Sequence, residues 1–112
     1  GSDVVDIDLV TTPGLSFLTR TQGFDLGVMI SASHNPSQDN GIKVFNPDGI
    51  KIPDDQEDHI AEIYQVASLP DPHEPQPVGE FAVAPSLVEE YVNHLLKRFR
   101  RLDLAGLRIA VD

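Results

Sequence analysis

The sequence has no cysteine, few cationic side chains and no long apolar run. The absence of cysteine excludes a disulfide scaffold, a thiolate zinc site and a cysteine nucleophile. Eight Lys and Arg against 18 Asp and Glu give a formal net charge of −10, which opposes binding to nucleic acid and to anionic membrane surfaces. No stretch reaches the ~20 apolar residues that a membrane-spanning helix needs, and no basic-then-apolar leader opens the chain. Together these absences predict a soluble, cytoplasmic protein.

What is present is enough for one folded domain. The chain has 112 residues and a hydrophobic fraction of 40%, which can supply a core for a domain of roughly 100 to 150 residues. It opens on Gly1-Ser2 rather than on a methionine, and it ends within the strand-like segment 107–111. We therefore expect it to be a piece of a longer protein.

The first thirty residues have the pattern of a strand, a helix and a second strand. Residues 4–10 alternate between apolar and polar side chains, Thr12-Pro13 is typical of a helix start, and Gly23 of a helix end. The continuous apolar run 27–30 predicts a strand covered on both faces. These elements predict a βαβ unit with two parallel strands and a right-handed crossover. The residues predicted to face inward are Val5, Ile7, Leu9, Leu15, Phe17 and Leu18.

The next segment predicts a hairpin and a helix. Extended patterns at 42–45 and 50–52 flank the turn residues Pro47-Asp48-Gly49. A helix is predicted to begin at Pro53, because acidic residues follow it and the helix dipole favours them in the first turn. Its predicted buried face consists of Ile60, Ile63, Tyr64 and Ala67.

The last third of the chain divides into a linker, a helix and a terminal segment. Residues 69–85 contain five of the prolines and predict an extended, proline-rich linker. Ser86 and Glu89 form a capping-box pattern ahead of an amphipathic helix at 86–101. All the elements together predict an α/β fold with a mixed, partly parallel sheet and flanking helices.

Polar side chains capable of chemistry are concentrated in the loop at 27–43. A buried strand leads there into small and polar residues that include Ser33, His34 and Asn35, and Lys43 follows on the next strand. Ligands bind at the carboxyl ends of strands in parallel α/β sheets. From composition alone, an ordinary polar turn is the favoured interpretation. A Ser/His/Asp hydrolase is disfavoured because Ser33 and His34 are adjacent and no Gly-x-Ser-x-Gly elbow is present, and the scattered histidines lack the spacing of metal ligands.

A family resemblance favours the functional interpretation. Residues 27–36, which read Gly-Val-Met-Ile-Ser-Ala-Ser-His-Asn-Pro, look like the phosphoserine signature of the α-D-phosphohexomutases. The continuation Asp-Asn-Gly-Ile-Lys at 39–43 matches in kind and spacing, and the resemblance extends from about Val4 to Ile63. Within this superfamily the segment is most similar to bacterial phosphoglucosamine mutases, with phosphomannomutases and phosphoglucomutases close to it.

The resemblance implies an enzyme that moves a phosphoryl group between O6 and O1 of a hexose phosphate through a bisphosphorylated intermediate. The substrate that the resemblance implies is glucosamine 6-phosphate, converted to glucosamine 1-phosphate. In such enzymes the serine that matches Ser33 is phosphorylated and the lysine that matches Lys43 is a general acid and base. Mg²⁺ is the implied cofactor, bound through the phosphate on Ser33 and by aspartates that lie outside this chain. The implied site residues are Ser33, Lys43 and His34 as catalytic groups and Asn35 and Asn40 in the phosphate pocket.

The resemblance also implies how the chain is divided. Residues 1–104 correspond to part of domain I, and residues 105–112 to the first strand of domain II. Without the missing domains of the same polypeptide, the chain is expected to be inactive, and unpaired strand edges favour self-association. The alternative is a non-catalytic domain that binds a sugar phosphate or a partner, which an Asp-x-Asp-x-Asp metal loop after Asp112 would argue against.

Overall fold

The structure, a computed structural model, describes residues 1–36, 38–67 and 78–111. It has the predicted α/β composition, with three helices and four strands in these ranges. The elements in chain order are β1 (Val4–Asp6), α1 (Thr12–Gln22), β2 (Gly27–Ser31), β3 (Gly41–Phe45), α2 (Asp54–Val66), β4 (Phe81–Val83) and α3 (Leu87–Arg98).

The strands form two separate pairs. β1 and β4 are parallel, with Val4 opposite Phe81, whereas β2 and β3 are antiparallel, with Gly27 opposite Phe45. The predicted mixture of parallel and antiparallel pairing is thus confirmed. The expectation that the first two strands form one βαβ sheet is wrong for the described residues, since β1 and β2 are not hydrogen-bonded neighbours. A strand–helix–strand pattern indicates direction, but it does not determine which strands are adjacent.

Helix α1 begins one residue earlier than the Thr12-Pro13 pattern predicts and ends where predicted. The side chain of Thr11 accepts a hydrogen bond from the backbone N–H of Gly14, so Thr11 rather than Thr12 is the N-cap. Gly23 ends the helix with a φ of 71°, and its N–H bonds to the carbonyl of Thr19. This left-handed conformation costs a residue with a Cβ ~1–2 kcal/mol, which explains the glycine.

The core lies where α1 meets both strand pairs. Leu18 is fully buried at 0% exposure, and it belongs to a cluster with Ile7, Leu15 and Phe45. The predicted inward position of Leu9 is wrong, because that side chain is 89% exposed. β1 ends at Asp6, and the alternation is then broken at Asp8, whose φ is 61° and whose N–H bonds to the Asp6 carboxylate.

The predicted hairpin is present in a short form. β3 is extended by an isolated bridge between Phe45 and Lys51, and the turn between them contains Gly49 with a φ of 73°. The side chain of Asn46 accepts hydrogen bonds from the N–H groups of Asp48 and Ile50. The hydroxyl of Ser16 in α1 donates to the carbonyl of Gly49, which fastens the turn to the helix.

Helix α2 starts at the predicted place, but its apolar face is not buried. Pro53 is its N-cap and three acidic residues occupy its first turn. Ile60, Ile63 and Tyr64 remain 49%, 50% and 75% exposed, and Ala67 is exposed as well. The periodicity correctly identified an amphipathic helix, but in the described residues no other element covers that face.

The predicted linker at 69–85 contains a strand. Residues 81–83 form β4 and pair with β1, whereas residues 69–77 lie outside the described part of the chain. Proline enrichment was the reason for predicting a linker, but the Phe81–Val83 run itself has no proline and is free to pair. The presence of β4 in the predicted linker does not test the assignment of residues 1–104 to one domain, which stays a prediction.

Helix α3 packs against α1 and is shorter than predicted. It ends at Arg98 rather than at residue 101, and Ser86 makes no side-chain capping bond, so the predicted capping box is wrong. The ring of Phe17 in α1 lies 5.5 Å from that of Tyr91 and 4.4 Å from that of His94, measured between centroids. The terminal residues 107–111 form neither helix nor strand.

Candidate functional site

The site is placed by the packing of β2 on α1. A side chain at Gly27 would collide with the hydroxyl of Thr19, so the start of β2 lies directly on the middle of the helix. Further along, the hydroxyl of Thr12 donates to the sulfur of Met29 at 3.2 Å. The first turn of α1 therefore contacts β2 at Met29, the middle residue of the strand. The helix dipole places partial positive charge at this end of α1, which favours anions.

A tight turn after β2 presents Ser33. The N–H of Asn35 donates to the carbonyl of Ala32 at 2.9 Å, which closes a turn with Ser33 at its second position. Ser33 has a φ of 55°, a left-handed conformation that costs a non-glycine residue ~1–2 kcal/mol. Its own N–H donates to the hydroxyl of Ser31 at 3.0 Å, and its side chain is exposed. The backbone strain is thus held by hydrogen bonds on both sides of the serine.

His34 is the side chain nearest to the Ser33 hydroxyl. Their Oγ and Nδ1 atoms are 3.5 Å apart, at the long limit of a hydrogen bond, and both side chains are exposed. Within the described ranges no carboxylate bonds to His34. The geometry therefore contains a serine–histidine pair but not the third group of a hydrolase triad, as the adjacency of the two residues predicted.

Lys43 approaches the same region from β3. The pairing places it opposite Met29 and places Gly41 opposite Ser31, so the side chains of Lys43, Met29 and Ser31 share the face that packs on α1. Lys43 is half-buried and lies two residues, ~7 Å along the strand, from Gly41. No hydrogen bond joins Lys43 to Ser33 in the described residues.

The two predicted amides lie at the two ends of the loop in sequence. Asn35 closes the turn through its backbone, and Asn40 immediately precedes β3. Both side chains are exposed. The structure thus brings the side chains of Ser33 and His34 together and places Asn35, Asn40 and Lys43 on the same loop and the strand that follows it.

Ser31 is the residue of the site whose hydrogen-bonding role the sequence analysis did not assign. Its hydroxyl accepts the N–H of Ser33, and this bond supports the left-handed conformation of that residue. The signal in the sequence is the Ser-x-Ser spacing, because a serine hydroxyl commonly accepts the N–H two residues later.

The two lysines near the loop, Lys43 and Lys51, differ in whether they are free to bind a phosphate. Lys51 donates to Glu57 at 2.9 Å and to Asp54 at 3.2 Å. The hydrogen bond that Lys51 donates to Glu57, followed by the one it donates to Asp54, raises the pKa of Lys51 above its ordinary value of 10.5. Lys51 therefore fastens the first turn of α2, which leaves Lys43 as the lysine of this region that could meet a phosphate.

The described residues do not make a metal site by themselves. They contain no group of three or more His, Asp or Glu side chains arranged to hold an ion. Mg²⁺ normally takes oxygen ligands in near-octahedral geometry, and a phosphate on Ser33 would supply only part of such a ligand set. Ligands from outside these residues would be needed, so the chain alone does not fit the ion.

No helix in the described ranges has the length and hydrophobicity to cross a bilayer.

Comparison with known proteins points to one family over the whole chain. The family described as phosphoglucomutase/phosphomannomutase, alpha/beta/alpha domain I, matches residues 1–70. Phosphoglucosamine mutases from Symbiobacterium thermophilum and from Staphylococcus saprophyticus are each 46% identical over 116 aligned residues. That of Solibacter usitatus is 44% identical over 113 residues.

These relatives are much longer than the chain. Each alignment covers 100% of the chain, but 25% of the proteins from Symbiobacterium and Staphylococcus and 24% of that from Solibacter. The chain thus spans about a quarter of the length of the relatives it matches.

Proposed function

The chain belongs to the phosphoglucomutase/phosphomannomutase family, and on this basis we propose that it is part of domain I of a phosphoglucosamine mutase. The full-length enzyme would interconvert glucosamine 6-phosphate and glucosamine 1-phosphate. The names of the relatives at 42% to 46% identity favour this sugar over mannose or glucose phosphates. The chain alone would be inactive, since it spans a quarter of those proteins.

The observation that carries this proposal is the presentation of Ser33. Its hydroxyl is exposed on a strained turn that follows the carboxyl end of β2. A serine held in this way suits a phosphoryl carrier, because the group on its hydroxyl needs a fixed position and open access to a substrate. A buried or freely rotating serine would not provide both.

The proposed reaction consists of two phosphoryl transfers, and the second one restores the phosphate on Ser33. Phosphorylated Ser33 first gives its phosphoryl group to the free hydroxyl of the sugar monophosphate, which forms a bisphosphate and frees the Ser33 Oγ. The bisphosphate then returns its other phosphoryl group to Ser33, which leaves the isomeric monophosphate. Lys43 would take the proton of the attacking sugar hydroxyl and give it back in the second transfer. The half-buried position of Lys43 on the α1 face supports this role.

The other predicted residues have supporting roles in this proposal. His34 would hydrogen-bond the phosphate on Ser33, and Asn35 and Asn40 would line its pocket; His34 lies within 3.5 Å of the serine hydroxyl. Mg²⁺, held by ligands outside the chain, would neutralise phosphoryl oxygens. The cytoplasmic location expected from the composition stays a prediction.

The test is an intact-mass measurement on the full-length protein purified from cells. The wild type should carry one phosphate, a gain of ~80 Da, and Ser33→Ala should lose both the phosphate and the mutase activity. Ser86→Ala is the matched control, since Ser86 is exposed and makes no side-chain capping bond. A Ser33→Ala protein with normal activity would refute the proposal. Binding of glucosamine 6-phosphate without phosphate on Ser33 or turnover would identify the non-catalytic alternative.

A further inference from the structure

One asparagine of the chain precedes a glycine, and it lies in the loop that carries Ser33. The asparagines of the sequence are Asn35, Asn40, Asn46 and Asn93. Asn40 is exposed, lies outside the helices and strands, and is followed by Gly41, the first residue of β3. Asparagine is chemically labile, because the backbone nitrogen of the next residue can attack its side-chain amide. Glycine in that next position offers the least steric resistance, since it has no Cβ.

The other asparagines do not combine these features. Asn35 and Asn46 precede prolines, whose nitrogens carry no hydrogen that could be lost in such an attack. Asn93 lies within α3 and is followed by His94, and the hydrogen bonds of a helix hold the backbone in place. The asparagine before β3 is therefore the one at which a ring with the next residue can close most readily.

The ladder between β2 and β3 controls when Gly41 can react. The carbonyl of Val44 accepts from Ile52 on the far side of β3, and backbone groups of successive strand residues point to opposite edges. The N–H of Gly41 therefore points towards Ser31, its partner on β2. This pair is the last of the ladder, and terminal pairs open at a low free energy. The nitrogen of Gly41 is thus held while the ladder is closed and is released when its end frays.

Ser31 connects the reacting residues to the proposed phosphoryl carrier. It is the cross-strand partner of Gly41, and its hydroxyl accepts the N–H of Ser33 at 3.0 Å. This hydrogen bond supports the left-handed φ of 55° at Ser33. A change in the main chain just before Gly41 therefore reaches Ser33 through one strand pair and one hydrogen bond.

We propose that Asn40 and Gly41 form a site of spontaneous deamidation, and that the reaction inactivates the neighbouring site at Ser33. The effect on catalysis rests on the proposed function, whereas the deamidation itself does not. The modification would make the age of the protein a determinant of its activity.

The reaction needs only the chain and water. The nitrogen of Gly41 attacks Cγ of Asn40 and forms a new C–N bond, while the side-chain nitrogen leaves as ammonia with the hydrogen of the Gly41 N–H. Water then opens the resulting succinimide ring. Cleavage at the side-chain carbonyl gives aspartate, and cleavage at the main-chain carbonyl gives isoaspartate, in which the main chain runs through the former side chain.

Both products disturb the candidate site. Each adds one negative charge to a chain whose formal net charge is already −10, in the pocket proposed for a phosphate, and like charges repel. Isoaspartate also adds a methylene to the main chain just before Gly41, which disturbs its register with Ser31. The phosphate on Ser33 would then face a like charge and lose the support of its turn.

Peptide mapping of the full-length protein by mass spectrometry tests this proposal. The protein would be incubated at mildly alkaline pH, sampled over time and assayed for mutase activity in parallel. Asn40 should convert at least about 10-fold faster than Asn93, and both aspartate and isoaspartate should form. Asn35 and Asn46 are internal controls, since proline follows each of them. Activity should fall with the rate constant of Asn40 conversion.

Gly41→Ala is the matched variant. Its added Cβ would have its nearest neighbour, the carbonyl of Ser31, at 3.8 Å, so the fold and the initial activity should be kept. The Cβ crowds the attacking nitrogen and should slow conversion about 10-fold, so this variant should hold its activity through the incubation. Asn40→Asp supplies the charge without the altered main chain and should lower the initial activity about 3- to 10-fold.

Three results would overturn the proposal: equally slow conversion of Asn40 and Asn93, full conversion of Asn40 with unchanged activity, or equally fast loss of activity in the wild type and in Gly41→Ala. The comparison of Asn40 with Asn93 is made within the wild type, so it decides even if Gly41→Ala does not fold. Deamidation of Asn40 in a full-length protein without mutase activity would reject the proposed function and retain the modification site. Lasting activity with an unconverted Asn40 would do the opposite.

Discussion

The contact between Gly27 and Thr19 sets how closely β2 approaches α1, and it predicts a strongly coupled pair of substitutions. A Cβ added at Gly27 would lie well inside the 3.0 Å limit of real Cβ contacts with the Thr19 hydroxyl. Thr19 is 1% exposed and its hydroxyl donates to the carbonyl of Leu15 at 2.8 Å. Relief of the clash must therefore break this hydrogen bond or push β2 away from the helix.

The magnitude follows from these two routes. Overpacking a core costs ~1–3 kcal/mol, and loss of the hydrogen bond ~1 kcal/mol. Replacing glycine lowers the entropy of the unfolded chain and returns ~0.4–1 kcal/mol. Gly27→Ala should therefore reduce the free energy of unfolding by ~1–2 kcal/mol. In a Thr19→Ala background the hydroxyl clash is absent and the nearest remaining contact is the Cβ of residue 19 at 3.3 Å, so the same substitution at Gly27 should be close to neutral.

Urea unfolding followed by circular dichroism would measure the four members of this double-mutant cycle. A coupling energy of ~1–2 kcal/mol is expected, well above the ~0.3–0.5 kcal/mol within which independent sites add. Gly41→Ala is a suitable control, because its added Cβ would have its nearest neighbour at an ordinary 3.8 Å. Additive effects of Gly27→Ala and Thr19→Ala would refute the argument that this contact positions β2.

Three further predictions concern the turn and the lysines. Ser31→Ala should lower kcat of the full-length enzyme about 2- to 10-fold, since it removes the ~0.5–1.5 kcal/mol hydrogen bond to the Ser33 N–H; Ser31→Thr should restore the rate. Lys51→Met should lower stability below pH 10.5 and have no effect well above it, because a raised pKa stabilises the fold only while the lysine is protonated. Lys43→Met should raise the second pKa of phosphorylated Ser33 towards ~6 in a ³¹P NMR titration, since a nearby cation lowers it.

Each of these has a result that contradicts it. Equal rates for Ser31→Ala and the wild type would remove that hydroxyl from the control of the turn. A destabilisation by Lys51→Met that persists unchanged at high pH would show that packing of the lysine stem, not its charge, is responsible. An unchanged phosphoserine pKa in Lys43→Met would remove that lysine from the site.

Local signals in the sequence correctly located most elements. Gly23 ended α1, Pro53 preceded α2, and the Asp48-Gly49 turn closed the hairpin. These features depend on the positive φ angles that glycine allows and on the backbone N–H that proline lacks, so they can be predicted from a few neighbouring residues. The failures concern contacts between distant segments. The strand Phe81–Val83 was not predicted, because it lies in a proline-rich stretch and its partner, β1, lies far away in the sequence.

The sequence predicted which residues form the candidate site, but it did not predict their conformation or their contacts. The motif identified Ser33 and its neighbours, and the resemblance to a family gave them roles. The left-handed φ of Ser33, the hydrogen bond from Ser31 and the engagement of Lys51 with acidic residues could not be read from residue types. They depend on the turn conformation and on how the hairpin meets α2.

Composition and short-range pattern are enough to exclude cysteine chemistry and to predict an acidic protein, the order of most helices and strands, and a motif that is shared with one family. The pairing of the strands, the exposure of the apolar faces and the conformation of Ser33 follow from the folded structure alone. Those outcomes depend on backbone hydrogen bonds and packing between residues far apart in the chain. The pairing of β1 with β4 is the clearest case, since it sets Val4 opposite Phe81, which lies far away in the sequence.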